Sequence, residues 1–235
     1  MSHEVFYVPS AAVGEVVLDA GESMHAVKVL RMKEGEAVVV VDGRGHRFTG
    51  EISDAHPRQC RVLLKEEEKE VESRGYRLHV AMAPTKNSER TDWFVEKATE
   101  IGIDIITPVI CRYSERRRTN RERLQKMGIA AMKQSQKSRL PDIWEDTPFD
   151  LMIVLPFEGI KCIAHCHRGD MPHLKEVVVP GKAVMVLIGP EGDFSPEEVS
   201  RAVAAGFREV TLGTSRLRTE TAALVACLTV SLINA

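Results

Sequence analysis

The sequence predicts two domains in series, a small β-barrel with one helix and then an α/β domain whose parallel sheet is covered by helices. Three observations carry this. The first 75 residues hold short apolar strands separated by turns. The stretch from Glu66 to Gly75 is dense in charge and poor in apolar residues, which suits a linker or an exposed strand end and marks a boundary between domains 1–72 and 73–235. Beyond it strands and helices alternate, the pattern of a parallel sheet with crossover helices. At 235 residues, 43% hydrophobic and 28% charged, the chain can build two cores and is neither disordered nor a disulfide-stapled miniprotein.

In the first domain, strands are expected at Val5 to Val8, Glu15 to Leu18, Ala37 to Val41, Arg47 to Ile52 and Gln59 to Lys65. Asp42-Gly43-Arg44-Gly45 is a hairpin turn between two of them. Met24, Val27, Val29 and Leu30 supply the apolar positions of one short helix between Glu22 and Arg31. In the second domain the expected order begins with strand Arg77 to Ala83, helix Glu89 to Ile101, strand Ile103 to Val109, helix Arg121 to Ser138 and strand Leu151 to Leu155. It continues with strand Ala183 to Ile188, helix Pro196 to Ala204, strand Glu209 to Leu212 and helix Thr219 to Asn234. Residues 157 to 181 are the least readable segment.

The formal net charge of -2 gives no reason to expect nucleic acid, but the charge is unevenly spread. Residues 76–145 carry 14 basic and 9 acidic side chains, against 10 and 14 in residues 1–75 and 8 and 11 in residues 146–235. Ten of the basic residues fall between Arg112 and Arg139, opposed there by Glu115 and Glu122. Such a run reads equally as a solvated face or as a patch that tracks phosphates, and its arginines favour the latter because guanidinium forms a bidentate fork with phosphate.

Five cysteines at 60, 111, 162, 166 and 227, an odd number and widely spread, together with a start that has no charged-then-apolar leader, fit a reduced cytoplasmic protein. The segment from Cys162 to His167, with His173 beyond, has metal-capable side chains but no second cysteine pair. It reads as a helix with small buried thiols, and no metal is assigned. The uncharged run Thr221 to Ala235 is shorter than the roughly 20 residues needed to span a bilayer and reads as a buried helix, so no membrane partner is expected.

Two loops carry the chemistry. In Val186 to Val199, VLIGPEGDFSPEEV, a strand ends at Gly189 and a helix starts with Ser195 as N-cap, Pro196 in first position and Glu198 completing a capping box. Gly189 and Gly192 bracket Pro190 and Glu191, so the backbone can turn tightly at the carboxyl end of a parallel strand, where α/β folds bind ligands. The spacing matches no phosphate-binding fingerprint, and Glu191 and Asp193 suit a cation such as S-adenosylmethionine better than an anion. The second loop, LGTSRLRTETAAL at 212–224, again follows a strand and opens a helix, with Thr219 as a candidate cap and Glu220 in the first turn.

The pair GPEGDF at 189–194 and LGTSRLRTETA at 212–222 resembles the two knot loops of the ribosomal RNA small-subunit methyltransferase E family, within the SPOUT class of methyltransferases. HAVKVLRM at 25–32, EKATEIGIDIITPV at 96–109 and KQSQKSRLPDI at 133–143 are similar to further segments of that family, in its order. The resemblance implies an N-terminal PUA-like β-barrel for RNA, a C-terminal parallel-sheet domain tied in a trefoil knot, and a homodimer. It implies S-adenosylmethionine as cofactor and methylation of N3 of a uridine in 16S ribosomal RNA, free or in the small subunit. Asp193 stands where the family more often has a second glycine, a difference that bears on the loop's backbone. Lys133 and Lys137 stand where it more often has acidic or neutral and small residues, and add to the basic patch.

Carried over by position, the cofactor contacts are Leu155 at the end of its strand, Ile188, Gly189, Glu191, Gly192, Leu212, Gly213, Leu217, Arg218 and Thr219. Arg218 is expected to stabilise negative charge on the reacting base, with Glu220 orienting it or accepting the proton. RNA contacts are expected from Lys28, Arg31, Lys86, Arg90, Arg112, Arg116, Arg117, Arg118 and Arg139. The alternatives are a ribose 2'-O-methyltransferase of the same class, whose asparagine-containing motifs are missing, and a noncatalytic assembly factor, which need not bind the cofactor.

Overall fold

The computed structural model describes residues 4–69, 74–167 and 170–235. They form two compact units, one of residues 1–73 with 129–140 and one of residues 74–128 with 141–235.

In the first unit, β1 (Val5–Tyr7), β2 (Gly14–Val17), β3 (Ala37–Val41), β4 (His46–Asp54) and β5 (Arg61–Lys69) make one sheet in the order β1-β3-β4-β5-β2. β1 pairs parallel to β3 and the other pairs are antiparallel. The inward residues Phe6, Leu18, Val38, Val40, Phe48, Ile52, Val62 and Leu64 share one core, as alternation along a curled sheet requires. The β3–β4 turn is the expected one: the Asp42 carboxylate accepts from the N–H of Arg44 at 2.7 Å and of His46 at 3.1 Å, and Gly43 and Gly45 take positive φ of 76° and 105°.

The expected helix has two parts. α1 (Ala20–Met24), capped by the Asp19 carboxylate, runs into a wider turn over His25–Val29, where the N–H of Leu30 reaches back five residues to the carbonyl of His25. β5 runs on to Lys69, with Glu66, Glu67 and Glu68 exposed, so this stretch is a strand end rather than a linker. Residues 70–73, where the boundary was expected, lie outside the described residues.

The second unit is built on a sheet ordered β12-β10-β11-β6-β7-β8, every pair parallel. Its strands are β6 (Leu78–Met82), β7 (Ile105–Ile110), β8 (Asp142–Ile143), β10 (Ile160–Ala164), β11 (Val184–Ile188) and β12 (Arg208–Val210), with β9 (Thr147–Pro148) paired to β7 alone. The helices are α2 (Ser88–Ile101), α3 (Arg121–Gln134, of which residues 129–134 belong to the first unit), α4 (Phe149–Val154), α5 (Leu174–Val177), α6 (Pro196–Ala204) and α7 (Thr219–Ile233).

Because the sheet is covered on both sides, its central strands are almost wholly apolar, with His79 on β6 and Thr107 on β7 bonded to each other. Leu78, Val80, Val184, Val186 and Ile188 pack against α2, α5 and α7. Ala81, Met185 and Leu187 face the other way, towards α4 and α6.

Four expectations are corrected. Residues 151–155 are not a strand: Phe149, Met152 and Ile153 are buried at helical spacing while Leu151 and Val154 are 58% and 67% exposed, so a 3.6-residue period governs the run and α4 results. The segment Cys162 to His167 is not a helix: Ile160–Ala164 is β10, inserted between β11 and β12. Residues 129–140, expected in the α/β domain, belong to the first unit, where Met132 is buried with Val5, Val39 and Val41. The Lys133 ammonium there binds the Glu22 carboxylate at 2.6 Å, which removes it from the free basic patch.

Candidate functional site

β10, β11 and β12 are neighbours and parallel, so the loops after them emerge at one edge of the sheet, together with the first turn of α7. They enclose a cavity of about 340 Å³. Its wall includes Ile188, Gly189 and Glu191 after β11, and Leu212, Gly213, Leu217, Arg218 and Thr219 after β12, as the sequence indicated.

Two expected contacts lie elsewhere. Leu155 follows α4, packs on the core beside Phe149 and is off the cavity wall, because its strand does not exist. Gly192 is also off the wall; a Cβ there would stand 3.2 Å from Cβ of Tyr113, so the glycine admits that side chain against the loop. Ala164, His165 and Cys166, at the end of β10, complete the wall and were missed with their strand. The usable signal was a short apolar run ending in polar residues, masked by its lysine and cysteine.

Asp193 holds this edge together. Its φ of 62° is the left-handed conformation that glycine adopts freely and aspartate tolerates better than most residues. Its Oδ2 accepts from the N–H of Cys166 at 2.9 Å and its Oδ1 from the N–H of Phe194 at 2.8 Å, linking the loop after β10 to the loop after β11.

Beside it, Nδ1 of His165 accepts from the N–H of His167, which leaves Nε2–H to donate to the Glu209 carboxylate at 3.1 Å. Burial lowers the His165 pKa, and the carboxylates of Asp193 and Glu209 only partly oppose this. The Cys166 thiol is pushed up by partial burial and by Asp193, against Arg216. The cavity wall is therefore acidic at Glu191 and Asp193, neutral at His165, and basic at Arg216 and Arg218.

α7 begins at the expected Thr219, but the cap is the residue before it rather than Thr219 itself. Arg218 is the N-cap, its carbonyl accepting from the N–H of Ala222 at 2.8 Å, and Thr219 is the first helical residue. No side chain caps this end, so its first N–H groups are directed at the cavity edge with the positive end of the helix dipole. Glu220 does not line the cavity. It is buried, with Oε1 3.7 Å from Nε of Arg90 and Oε2 lacking a hydrogen bond, so its partner is α2 rather than Arg218.

The loop after β11 is anchored on its far side by α6. The predicted capping box is present: Oγ of Ser195 accepts from the N–H of Glu198 at 3.2 Å, and Oε2 of Glu198 accepts from the N–H of Ser195 at 2.8 Å. The other oxygen of Glu198 accepts from the N–H of Arg112 at 2.8 Å and so ties down the start of the arginine cluster.

The expected RNA-binding residues fall on both units. Lys28, Arg31 and Arg139 are exposed on the first. On the second, Arg112, Arg117 and Arg118 are exposed, and Lys86 pairs with Glu115 at 2.9 Å. Arg116 donates to the carbonyls of Thr85 and Lys86, a structural tie that also orders the segment before α2. Arg121 and Arg123 are paired with Glu145 and Asp92, so the patch is narrower than the sequence count indicates.

A family model described as an RNA methyltransferase domain matches residues 72–231, and one described as an RNA methyltransferase PUA domain matches residues 18–65. Ribosomal RNA small subunit methyltransferase E of Rickettsia conorii is 27% identical, covering 100% of this chain and 97% of that protein. The crystal structure of a "probable rRNA-methyltransferase" from Porphyromonas gingivalis superposes with a TM-score of 0.92 at 39% identity, covering 98% of each chain. Ribosomal RNA small subunit methyltransferase E from Neisseria gonorrhoeae, solved bound to S-adenosyl methionine, superposes with a TM-score of 0.88 at 27% identity over 99% of this chain and 98% of that one. The architecture is that of a SPOUT-type α/β domain following a PUA-like domain. Cavity, fold and sequence agree, and the chain belongs to the RNA methyltransferase family of the small-subunit methyltransferase E type.

Proposed function

We propose that this protein is an S-adenosylmethionine-dependent methyltransferase acting on N3 of a uridine in 16S ribosomal RNA, as free RNA or in the small subunit. The observation that carries this reading is the cavity at the carboxyl ends of β10, β11 and β12, with two carboxylates and Arg218 on its wall. Its chemistry fits the cofactor: Glu191 and Asp193 suit a sulfonium and an ammonium, Ile188, Leu212 and Leu217 suit an aromatic base, and the uncapped start of α7 suits a carboxylate. When bound, S-adenosylmethionine supplies the electrophilic methyl group. The expected contacts at Ile188, Gly189, Glu191, Leu212, Gly213, Leu217, Arg218 and Thr219 are retained in this proposal, joined by Ala164, His165, Cys166 and Asp193.

N3 of uridine is an imide nitrogen; once its proton has left, negative charge spreads onto the two flanking carbonyl oxygens. Arg218, fixed through its backbone at the start of α7, holds a guanidinium at the cavity wall where it stabilises that charge. Glu220 acts one step removed, holding Arg90 on α2. Lys28, Arg31 and Arg139 on the barrel, and Lys86, Arg90, Arg112, Arg116, Arg117 and Arg118 on the α/β unit, neutralise phosphates.

The division at 72/73 is the proposed domain boundary along the chain, with residues 129–140 counted to the first unit, and a homodimer is formed through the second domain. The exposed Leu228 and Leu232, one turn apart on α7, supply an apolar face for it. The cytoplasm is the proposed location, and among the described residues no helix is long and apolar enough to cross a membrane.

The test is nucleoside mass mapping of small-subunit RNA after incubation with a methyl-labelled donor. Label should appear as 3-methyluridine, and Arg218→Ala should lower the rate about a hundredfold while the fold is kept. Label in a 2'-O-methylribose, or none, would overturn the reading.

A further inference from the structure

We infer that Tyr113 is a positioning residue for RNA, a stacking platform for an unpaired base next to the mouth of the cofactor cavity. The inference rests on the proposed methylation of RNA and extends it to a side chain that neither the sequence motifs nor the cavity wall includes.

The backbone presents the ring rigidly. Residues 111–114 form a turn in which Ser114 Oγ accepts from the N–H of Cys111 at 2.9 Å and the Cys111 carbonyl accepts from the N–H of Ser114 at 3.1 Å. Both end residues are buried, and Glu198 holds the N–H of Arg112 between them. A turn fixed at three points nonetheless leaves Tyr113 47% exposed. A tyrosine that served only packing would bury its ring.

The ring's location supplies the function. Tyr113 lies against Gly192, whose neighbours Glu191 and Asp193 both line the cavity, so a base resting on it is adjacent to the reacting position. Trp93 is the other exposed large aromatic of the second unit, but it sits on α2, away from the cavity wall. The Arg112 guanidinium lies over one face of the ring, 5.7 Å from its centroid, and is paired with Glu197 at 3.1 Å, which leaves the other face for a base; Arg117 and Arg118 follow, exposed, within the same segment. An exposed aromatic face flanked by arginines is the composition that binds unpaired RNA, with cations on the phosphates and a ring under a base. A protein partner would suit the aromatic ring equally, but the exposed Arg117 and Arg118 in the same segment favour phosphate.

The experiment compares Tyr113→Leu, Tyr113→Ala and Tyr113→Phe in the full chain. Expected results for the leucine and alanine variants are a rise of about tenfold or more in KM for RNA and a matching loss of RNA affinity by fluorescence anisotropy. Calorimetric affinity for S-adenosylmethionine should be unchanged, and phenylalanine should restore RNA affinity. Unchanged RNA affinity in Tyr113→Leu would overturn the inference. So would a parallel loss of cofactor affinity, which would make Tyr113 a prop for the cofactor loop, or a changed oligomeric mass, which would make it a protein contact. A wild-type chain that methylates no RNA would count against the proposed function, while anisotropy, which needs no methyl transfer, still decides the role of Tyr113.

Discussion

Asp193 shows how a residue that departs from a familiar motif can preserve the motif's backbone. Glycine enters the left-handed region without cost, whereas a residue with a Cβ pays on the order of 1 kcal/mol or more. Here the side chain offsets that cost with two hydrogen bonds, one inside its own loop and one to the loop after β10.

Asp193→Gly should keep the path of the chain while losing the tie to Cys166 and a negative charge on the cavity wall. Affinity for S-adenosylmethionine, measured calorimetrically, should fall about tenfold, the scale of one charged hydrogen bond. Asp193→Ala should lose as much affinity and also some stability, because alanine gains no such bond in the left-handed region. Equal affinities for the wild-type and glycine proteins would show that the tie is ornamental. The sequence revealed the negative charge and the missing glycine; the link to Cys166 was invisible because it depends on the position of β10.

At the scale of elements, the legible parts were those with strong local punctuation. α6 begins at its predicted capping box with Pro196 in first position and ends at Ala204, and β3 matches its apolar run. The stretch Leu151 to Leu155 failed because an all-apolar segment of this length has no period to read until something packs on one side of it. β10 failed for the opposite reason, since Lys161 and Cys162 break its apolar character although Cys162 is fully buried, its thiol pushed up to about 12 by that burial.

Buried polar groups on the strands have their own consequence. His79 on β6 is buried and within 2.8 Å of the Thr107 hydroxyl, and desolvation, aided by Arg77, pushes its pKa down to about 4 from 6.5. Between those values the unfolded chain binds a proton that the folded chain refuses. The His79 contribution is thus complete above pH 6.5 and lost as pH falls towards 4, for a total of roughly 3 kcal/mol. Urea melts at pH 7 and pH 5 should show this slope, and His79→Gln should flatten it; an equal slope in the variant would place the acid sensitivity elsewhere.

For the whole molecule, a net charge of -2 concealed a division of labour. Part of the central excess of positive charge is consumed internally, by Lys133 with Glu22, Arg123 with Asp92, Arg121 with Glu145 and Arg112 with Glu197, while Arg117 and Arg118 are exposed. α7 is uncharged after Glu220, with its buried side on the sheet and Leu232 66% exposed. Light scattering at micromolar concentration should therefore give the mass of a dimer, and Leu228→Glu with Leu232→Glu should give a monomer. A wild-type monomer would remove the proposed homodimer.

The assignment of residues 129–140 to the first unit bears on how freely the two domains can be exchanged among proteins. A cut at 72/73 would strip the barrel of Met132, exposing apolar surface on Val5, Val39 and Val41, at about 1.5–3 kcal/mol for each side chain left uncovered. It would also leave Glu22 without its ammonium partner. The barrel's cover is encoded inside the other domain, so the two are not separable cassettes. A graft of this barrel onto a different methyltransferase domain would have to carry the second half of α3 with it.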